Sequence, residues 1–389
     1  MRRISNTPTE SAQDFEEKVC LCALNKYFGY KPKIALSLLA HFGKASEIFR
    51  LSEDERDLLF GTDSSYRNAL NQGSLDQAKA EIERLDKEGI TFIGWSENCY
   101  PALLKDCDDP PIGLYVRSSE SASSLFCPQK RIAIVGTRDI SPYGKEWCIK
   151  TVDALASCKE KPMIVSGLAY GTDITAHKRA LDKGLPTIAV MATGIDRIYP
   201  YRHKDIAEQI ATAPGSALIT DYPPGTAPLA THFLRRNRII AGLSDATILI
   251  ESRIRGGGMM TAGLSFSYSR DTYALPGRVD DPCSQGCNSL IRKKIAEAYT
   301  GTKELMESLG LNPLPTPETA SRNDWPADRT GLMSEILLLI KKERGITIDD
   351  IAYTLGTEVR HISEAVGILE SEGFICTDIL RRCSINIKR

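Results

Sequence analysis

The chain has 389 residues, 42% of them hydrophobic and 25% charged, with a formal net charge of −1. That length exceeds one compact core, so two or three globular domains are expected. The near-zero charge excludes a wholly basic, histone-like protein and confines any nucleic-acid site to a local patch.

The first residues, Met1-Arg-Arg-Ile-Ser-Asn-Thr-Pro8, lack the apolar stretch of a secretory signal. Residues 12–70 read as a helical domain, with Ala35, Leu36, Leu38, Leu39 and Phe42 at helical spacing and Gly29 and Gly43 between helices. Short helices with glycine turns are similar to a SAM or helix-hairpin-helix module, which often touches DNA backbone. The alternative is a small packing domain, and the acidic run from Arg50 to Phe60 weighs toward it. A helix over 75–88 and a strand over 90–95 follow. The Tyr100-Pro and Asp109-Pro-Pro segments then read as an extension of the main sheet.

Six apolar runs predict strands near 131–136, 162–167, 186–192, 216–220, 246–251 and 271–276. Helices are expected near 144–158, 173–183, 203–212, 230–242, 259–269 and 287–298. This α/β alternation implies a Rossmann-like, doubly wound parallel sheet over 75–305, with its ligand beyond the carboxyl ends of the strands. The prolines Pro313, Pro315, Pro317 and Pro326 mark a linker over 306–328. Three helices and a β-hairpin over 329–389 predict a C-terminal winged helix.

Glycines, hydroxyls and arginines collect at the strand ends. Gly136, Thr137 and Arg138 follow the first strand, where glycine admits a close backbone, threonine a hydroxyl and arginine a fork for phosphate oxygens. This is not the glycine pattern of a dinucleotide site. Ser166 and Gly167 open a second anion-binding loop. Asp173 is expected to stabilise the following helix start and His177 to make a structural hydrogen bond. Phe233, Arg235, Arg236, Asn237 and Arg238 share a helix, which suits a strand held by phosphate neutralisation and base stacking. The alternatives are a solvated helix face, or arginines that tether Asp221 or Glu251. Arg253 and Arg255 flank a triple glycine.

Five histidines do not cluster, and Cys283 and Cys287 have no second pair nearby, so no metal site is expected. The eleven scattered cysteines read as reduced cytosolic thiols, with Cys20 and Cys22 as small packers. No apolar run is long enough to span a bilayer, so no membrane insertion is expected. No nucleophile–base motif emerges, and no cofactor or catalytic residue is assigned.

The order of motifs resembles the DNA-processing protein A family (DprA/Smf). The resemblance is carried by Val135-Gly-Thr-Arg138, Ser141-x-Tyr143-Gly144, Ser166-Gly-Leu-Ala-x-Gly171, Gly194-Ile-Asp-x-Ile-Tyr199-Pro200 and Phe233-x-x-Arg236-Asn237-Arg238. It implies an extended Rossmann fold with a SAM-like domain before it and a winged helix after it. It also implies a non-enzymatic, cytoplasmic single-stranded DNA-binding protein that protects incoming DNA and loads the RecA recombinase during natural transformation. A homodimer is expected on the same ground. The family's pocket maps onto Gly136, Thr137, Arg138, Ser166, Gly167, Phe233, Arg236, Asn237 and Arg238. Leu234 replaces the family's usual proline, and Gly258 stands where serine is common. Two competing readings remain at this level. One is a nucleotide-binding or nucleotide-hydrolysing enzyme on a related fold, and the other is a duplex-DNA regulator acting through the winged helix.

Overall fold

The structure is a computed structural model, and it describes residues 11–127, 129–311, 331–343, 345–378 and 381–385. The chain divides into two compact units, Met1–Leu314 and Pro315–Arg389.

The first unit is built on a nine-stranded sheet. Its strands are β1 (Ile90–Gly94), β2 (Gly113–Arg117), β3 (Arg131–Val135), β4 (Met163–Ser166), β5 (Thr187–Val190), β6 (Ala217–Thr220), β7 (Ala246–Leu249), β8 (Asp271–Ala274) and β9 (Glu297–Ala298). The order across the sheet is β1-β2-β6-β5-β4-β3-β7-β8-β9. The strands β3 to β7 are buried along their whole length, as near-continuous apolar runs covered by helices on both faces must be. From β3 to β9 every pairing is parallel, with Ala133 opposite Val165 and Val135 opposite Leu249. The chain winds outward from β3 to β6 and then returns to lay β7 on the other side of β3. That reversal opens a crevice at the carboxyl ends of β3 and β7.

Three details depart from the pattern of the sequence. The extension contributes β1 and β2, which join antiparallel to β6, so the sheet is mixed. The helix expected over 287–298 runs only from Gln285 to Arg292, because Lys294 takes a positive φ of 56° and Ile295 N–H closes on Leu290 O at 3.0 Å. The expected linker begins inside a helix, Thr302–Ser308, whose Leu305 and Met306, together with Leu309 and Leu311, are buried in the core. Its remainder, 312–328, lies outside the described residues.

Residues 12–70 form five helices: Ala12–Phe28, Pro32–Phe42, Ala45–Phe49, Glu53–Phe60 and Ser65–Ala69. Ser11 caps the first by accepting Asp14 N–H, Pro32 starts the second, and Gly43 at φ 79° ends it. Leu21, Leu24, Phe28 and Ile48 continue through Ile82 and Leu85 into Phe92 and Tyr115 of the sheet. The helices and the sheet therefore share one apolar core.

In the second unit, helices Leu332–Lys342, Ile348–Leu355 and Val359–Ser371 pack around Ile336, Ile340, Ile351, Ile362 and Leu369. Strands β10 (Ile346–Thr347), β11 (Ile375–Thr377) and β12 (Arg382–Ile385) form an antiparallel sheet in the order β10-β12-β11. The short β10, just before the second helix, adds a strand to the expected hairpin.

One polar joint fastens the helix Ala230–Leu243 to the sheet. Arg238, 5% exposed, pairs through Nη2 with Asp221 Oδ2 at 2.6 Å beyond β6, and its Nη1 donates to Asp109 O. Burial alone would depress this guanidinium. The Asp221 and Asp109 carboxylates outweigh it and hold the pKa above the ordinary value. Replacing Arg238 with methionine leaves the Asp221 carboxylate buried without its cation, an expected cost of about 3–5 kcal/mol. A thermal melt followed by circular dichroism checks this, and an unchanged melting temperature would remove the pair from any structural role.

Candidate nucleic-acid interface

Three loops converge at the crevice, and they interlock. The first follows β3, and Thr172 N–H, at the start of helix Thr172–Asp182, donates to Thr137 O at 3.1 Å. A Cβ at Gly136 would meet the side chain of Thr172 and, at 3.0 Å, Glu251 O. Gly171, at φ 73°, packs against Thr137 and Arg138. The third loop enters through Gly258, where a Cβ would lie 2.6 Å from Leu249 Cδ1 and 3.2 Å from Gly136 Cα. A serine at this position would press on that packing, so glycine suits the close approach of the third loop to Gly136.

The loops and the helix Ala230–Leu243 enclose an open cavity of about 580 Å³. Gly136, Thr137, Arg138, Phe233, Arg236 and Asn237 line it, six of the nine residues expected from sequence. The other three are held elsewhere. Ser166 Oγ donates to Ile134 O at 2.6 Å and ties β4 to β3. Gly167 accepts Arg236 Nη1 through its carbonyl, and a Cβ there would collide with that guanidinium. Arg238 is spent on Asp221 and Asp109.

Two arginines of this helix, Arg236 and Arg238, thus have acids nearby, but acids distant in sequence. Arg236, 4% exposed, donates Nη1 to both Gly167 O and Val190 O, while its Nε reaches Asn237 Oδ1 at 3.3 Å. Burial pushes its pKa down to about 10, partly offset by the nearby Asp173 carboxylate, so it stays charged at neutral pH. Asp173 itself is raised by burial, against the pull of Arg236 and of the Ala169 N–H that it accepts at 3.3 Å. Asn237 Nδ2 donates to Gly257 O at 3.5 Å and links the helix to the triple-glycine loop.

His177 is structural. Thr187 Oγ1 gives its proton to Ile164 O at 3.1 Å, so the His177 Nδ1–H donates to Thr187 at 2.8 Å. Burial drives the ring's pKa down to about 3 and keeps it neutral. Glu251 accepts Ser141 N–H at 2.9 Å, and Ser141 Oγ in turn accepts Gly144 N–H at 3.1 Å, so this carboxylate caps a helix instead of serving the cavity.

The charge facing solvent comes from other arginines. Arg138, Arg253 and Arg255 are exposed, line the cavity, and have no carboxylate within ion-pair distance among the described residues. The Arg138 guanidinium lies 5.1 Å from the centre of the Phe233 ring, and Tyr199 meets that ring edge-on at 5.5 Å. Two helices start at the rim without side-chain caps, at Ala230 and at Gly257, and neither has an acid in its first turn. Their free N–H groups add positive potential to the arginines. Arg253, Arg255 and Tyr199 were absent from the site expected from sequence. Two arginines beside a triple glycine after a buried strand were the available signal for the first two.

A model of the DNA recombination-mediator protein A family matches residues 91–310. The chain is 33% identical to DNA processing protein DprA of Streptococcus pneumoniae, over 65% of this chain and 88% of that protein. It is 35% identical to protein Smf of Escherichia coli, over 75% of this chain and 76% of that protein. The X-ray structure of the S. pneumoniae protein superposes with a TM-score of 0.59 at 28% identity, covering 76% of this chain and 97% of that one. A structure of DNA processing protein A from Helicobacter pylori, described for its single-stranded DNA binding mode, gives a TM-score of 0.50 at 31% identity, covering 57% and 95%. The family match contains every loop that encloses the cavity, and on that match, with relatives of this identity and coverage, the chain belongs to the DNA recombination-mediator protein A family.

Proposed function

We propose that this protein binds single-stranded DNA in the switch-point cavity, protects the incoming strand and delivers it to the RecA recombinase during natural transformation. The observation that carries the binding step is the set of three exposed, acid-free arginines around two uncapped helix N-termini. Phosphates are neutralised there, and Phe233 and Tyr199 offer faces to bases. The H. pylori relative's single-stranded DNA binding supports the same reading. Delivery to RecA rests on the family relationship alone.

A nucleotide-hydrolysing enzyme is the weaker reading. Asp173 is the one carboxylate among the described residues lining the cavity, and it is buried against Arg236 and the Ala169 amide. General acid–base chemistry needs a second group within reach of the same atom.

The residues divide into those that touch DNA and those that hold the pocket open. Arg138→Ala is expected to keep the native melting temperature and weaken all oligonucleotides alike, since a guanidinium on phosphate reads no base. The salt slope of binding should shrink by about 0.7 for the one lost contact. Phe233→Ala should cost about 1–3 kcal/mol of binding. Arg236→Ala strands two buried carbonyls, so melting temperature and affinity should fall together. Fluorescence anisotropy with labelled oligo-dT, beside thermal melts, separates these outcomes. An Arg138 variant that binds normally would sink the pocket assignment.

We assign the C-terminal unit as a winged-helix module with a regulatory or protein-binding role. Residues 329–389 hold nine Lys and Arg against nine Asp and Glu, and on its third helix Arg360 pairs with Glu364 at 3.3 Å. A duplex reader needs unneutralised cations on that helix. Truncation after Leu311 is expected to leave oligo-dT affinity within a few fold; collapse of binding would assign the unit to DNA.

We further propose a homodimer through the Rossmann-like unit, which would join two cavities on one strand. Light scattering at micromolar concentration should then give twice the 42.8 kDa of the chain, and a purely monomeric species contradicts it.

A further inference from the structure

A second recess, of about 690 Å³, opens where the helix Pro32–Phe42 approaches the helix Ala230–Leu243. Tyr30, Lys31, Lys33, Leu234, Arg235 and Met260 are among its walls, and Leu234 borders both this recess and the switch-point cavity. Tyr30, Leu234 and Met260 are 51%, 45% and 41% exposed, so an aromatic and apolar surface faces solvent. Arg235 Nη2 donates to Gly29 O at 2.5 Å, and its guanidinium lies 4.8 Å from the centre of the Tyr30 ring, which holds the ring in place. Lys31, Lys33 and Arg235 have no carboxylate within ion-pair distance among the described residues. Asp109 also lines the recess, but its Oδ1 accepts Tyr268 Oη at 2.6 Å and its carbonyl accepts Arg238. The recess therefore presents an aromatic ring with the Arg235 guanidinium over it and two exposed lysines on its walls, Lys31 with its ammonium 5.6 Å from the centre of the Tyr66 ring, groups complementary to phosphates and a base.

We propose that this recess is a second single-strand subsite, receiving the nucleotides that leave the switch-point cavity across Leu234. The inference rests on the reading of that cavity as a DNA site. It gives the N-terminal helices a direct part in binding, because Tyr30, Lys31 and Lys33 come from them. A strand long enough to reach both recesses gains the second at high effective concentration.

The test titrates full-length wild type, the Lys31→Ala/Lys33→Ala double variant and Arg138→Ala against labelled dT oligomers of increasing length at several salt concentrations. Wild-type affinity should climb with length in two stages. The double variant should match wild type on the shortest oligomers and lose the second stage. Its salt slope on long oligomers should shrink by about 1.4, two contacts at about 0.7 each. Both lysines are exposed, and a melt confirms folding. If the double variant is destabilised, Lys33→Ala alone should shrink the slope by about 0.7. Arg138→Ala should weaken every length, and its failure to do so strikes the first cavity without touching the lysine comparison. A double variant equal to wild type at every length overturns the second subsite, as does one weakened equally at all lengths. Loss confined to a poly-glutamate peptide, with DNA binding intact, also overturns it and makes the recess an acidic-peptide site.

Discussion

The site depends on one buried cation. Arg236 sits where the helix Ala230–Leu243 passes beneath the strand ends, and its Nη1 donates to the carbonyls of Gly167, just past β4, and Val190, the last residue of β5. A guanidinium is the one side chain that stays charged at this depth while reaching several acceptors in a fixed plane. The same helix leads through Asn237 to the triple-glycine loop, and that loop packs on Gly136. Arg236 thereby joins strand ends that lie 69 and 46 residues before it in sequence.

This arrangement explains how a nearly neutral chain makes a cationic surface. Five arginines at and beneath the cavity fall into two populations. Arg236 and Arg238 are buried and compensated by Asp173 and Asp221, so they contribute rigidity and little field. Arg138, Arg253 and Arg255 are exposed and uncompensated, and the low-dielectric walls of the cavity concentrate their potential. Backbone N–H groups at Ala230 and Gly257 add to it without adding net charge. The field is thus local by construction.

The N-terminal helices take part in the same economy of contacts. Phe28 and Leu24 bury into the core beneath β1 and β2, and Asn25 Nδ2 donates to Asp221 O at 2.9 Å. Tyr30 is within 6.0 Å of Tyr222 and 5.7 Å of His232, ring centre to ring centre. These contacts hold the turn carrying Lys31 and Lys33 against the arginine helix, so the module is oriented as well as attached.

Local pattern carried much of this. The buried strands β3 to β8 and their helices follow from continuous apolar runs separated by glycine loops, and such runs are legible because both faces of a parallel sheet are covered. The convergence of Gly136, Arg138 and Phe233 on one edge follows from the same topology. The antiparallel attachment of β1 and β2, the strand β9 and the burial of the helix Thr302–Ser308 were not legible, because short edge elements are set by what they pack against and carry little pattern of their own. The fate of each arginine was likewise invisible. Phe233-Leu-Arg-Arg-Asn-Arg238 displays three guanidiniums within four residues and no acid among them. Packing buries every residue of the helix from Arg236 to Leu243, so both arginines are interior although two positions apart they point to opposite sides, and the nearby acids, Asp173 beside Arg236 and Asp221 paired with Arg238, arrive from other strand ends. Local sequence thus supplies the phosphate-binding groups and names the sheet edge that collects them. Which arginines are neutralised by distant carboxylates and which are left for the ligand is settled by the packed fold, because it depends on contacts between residues that no local pattern relates.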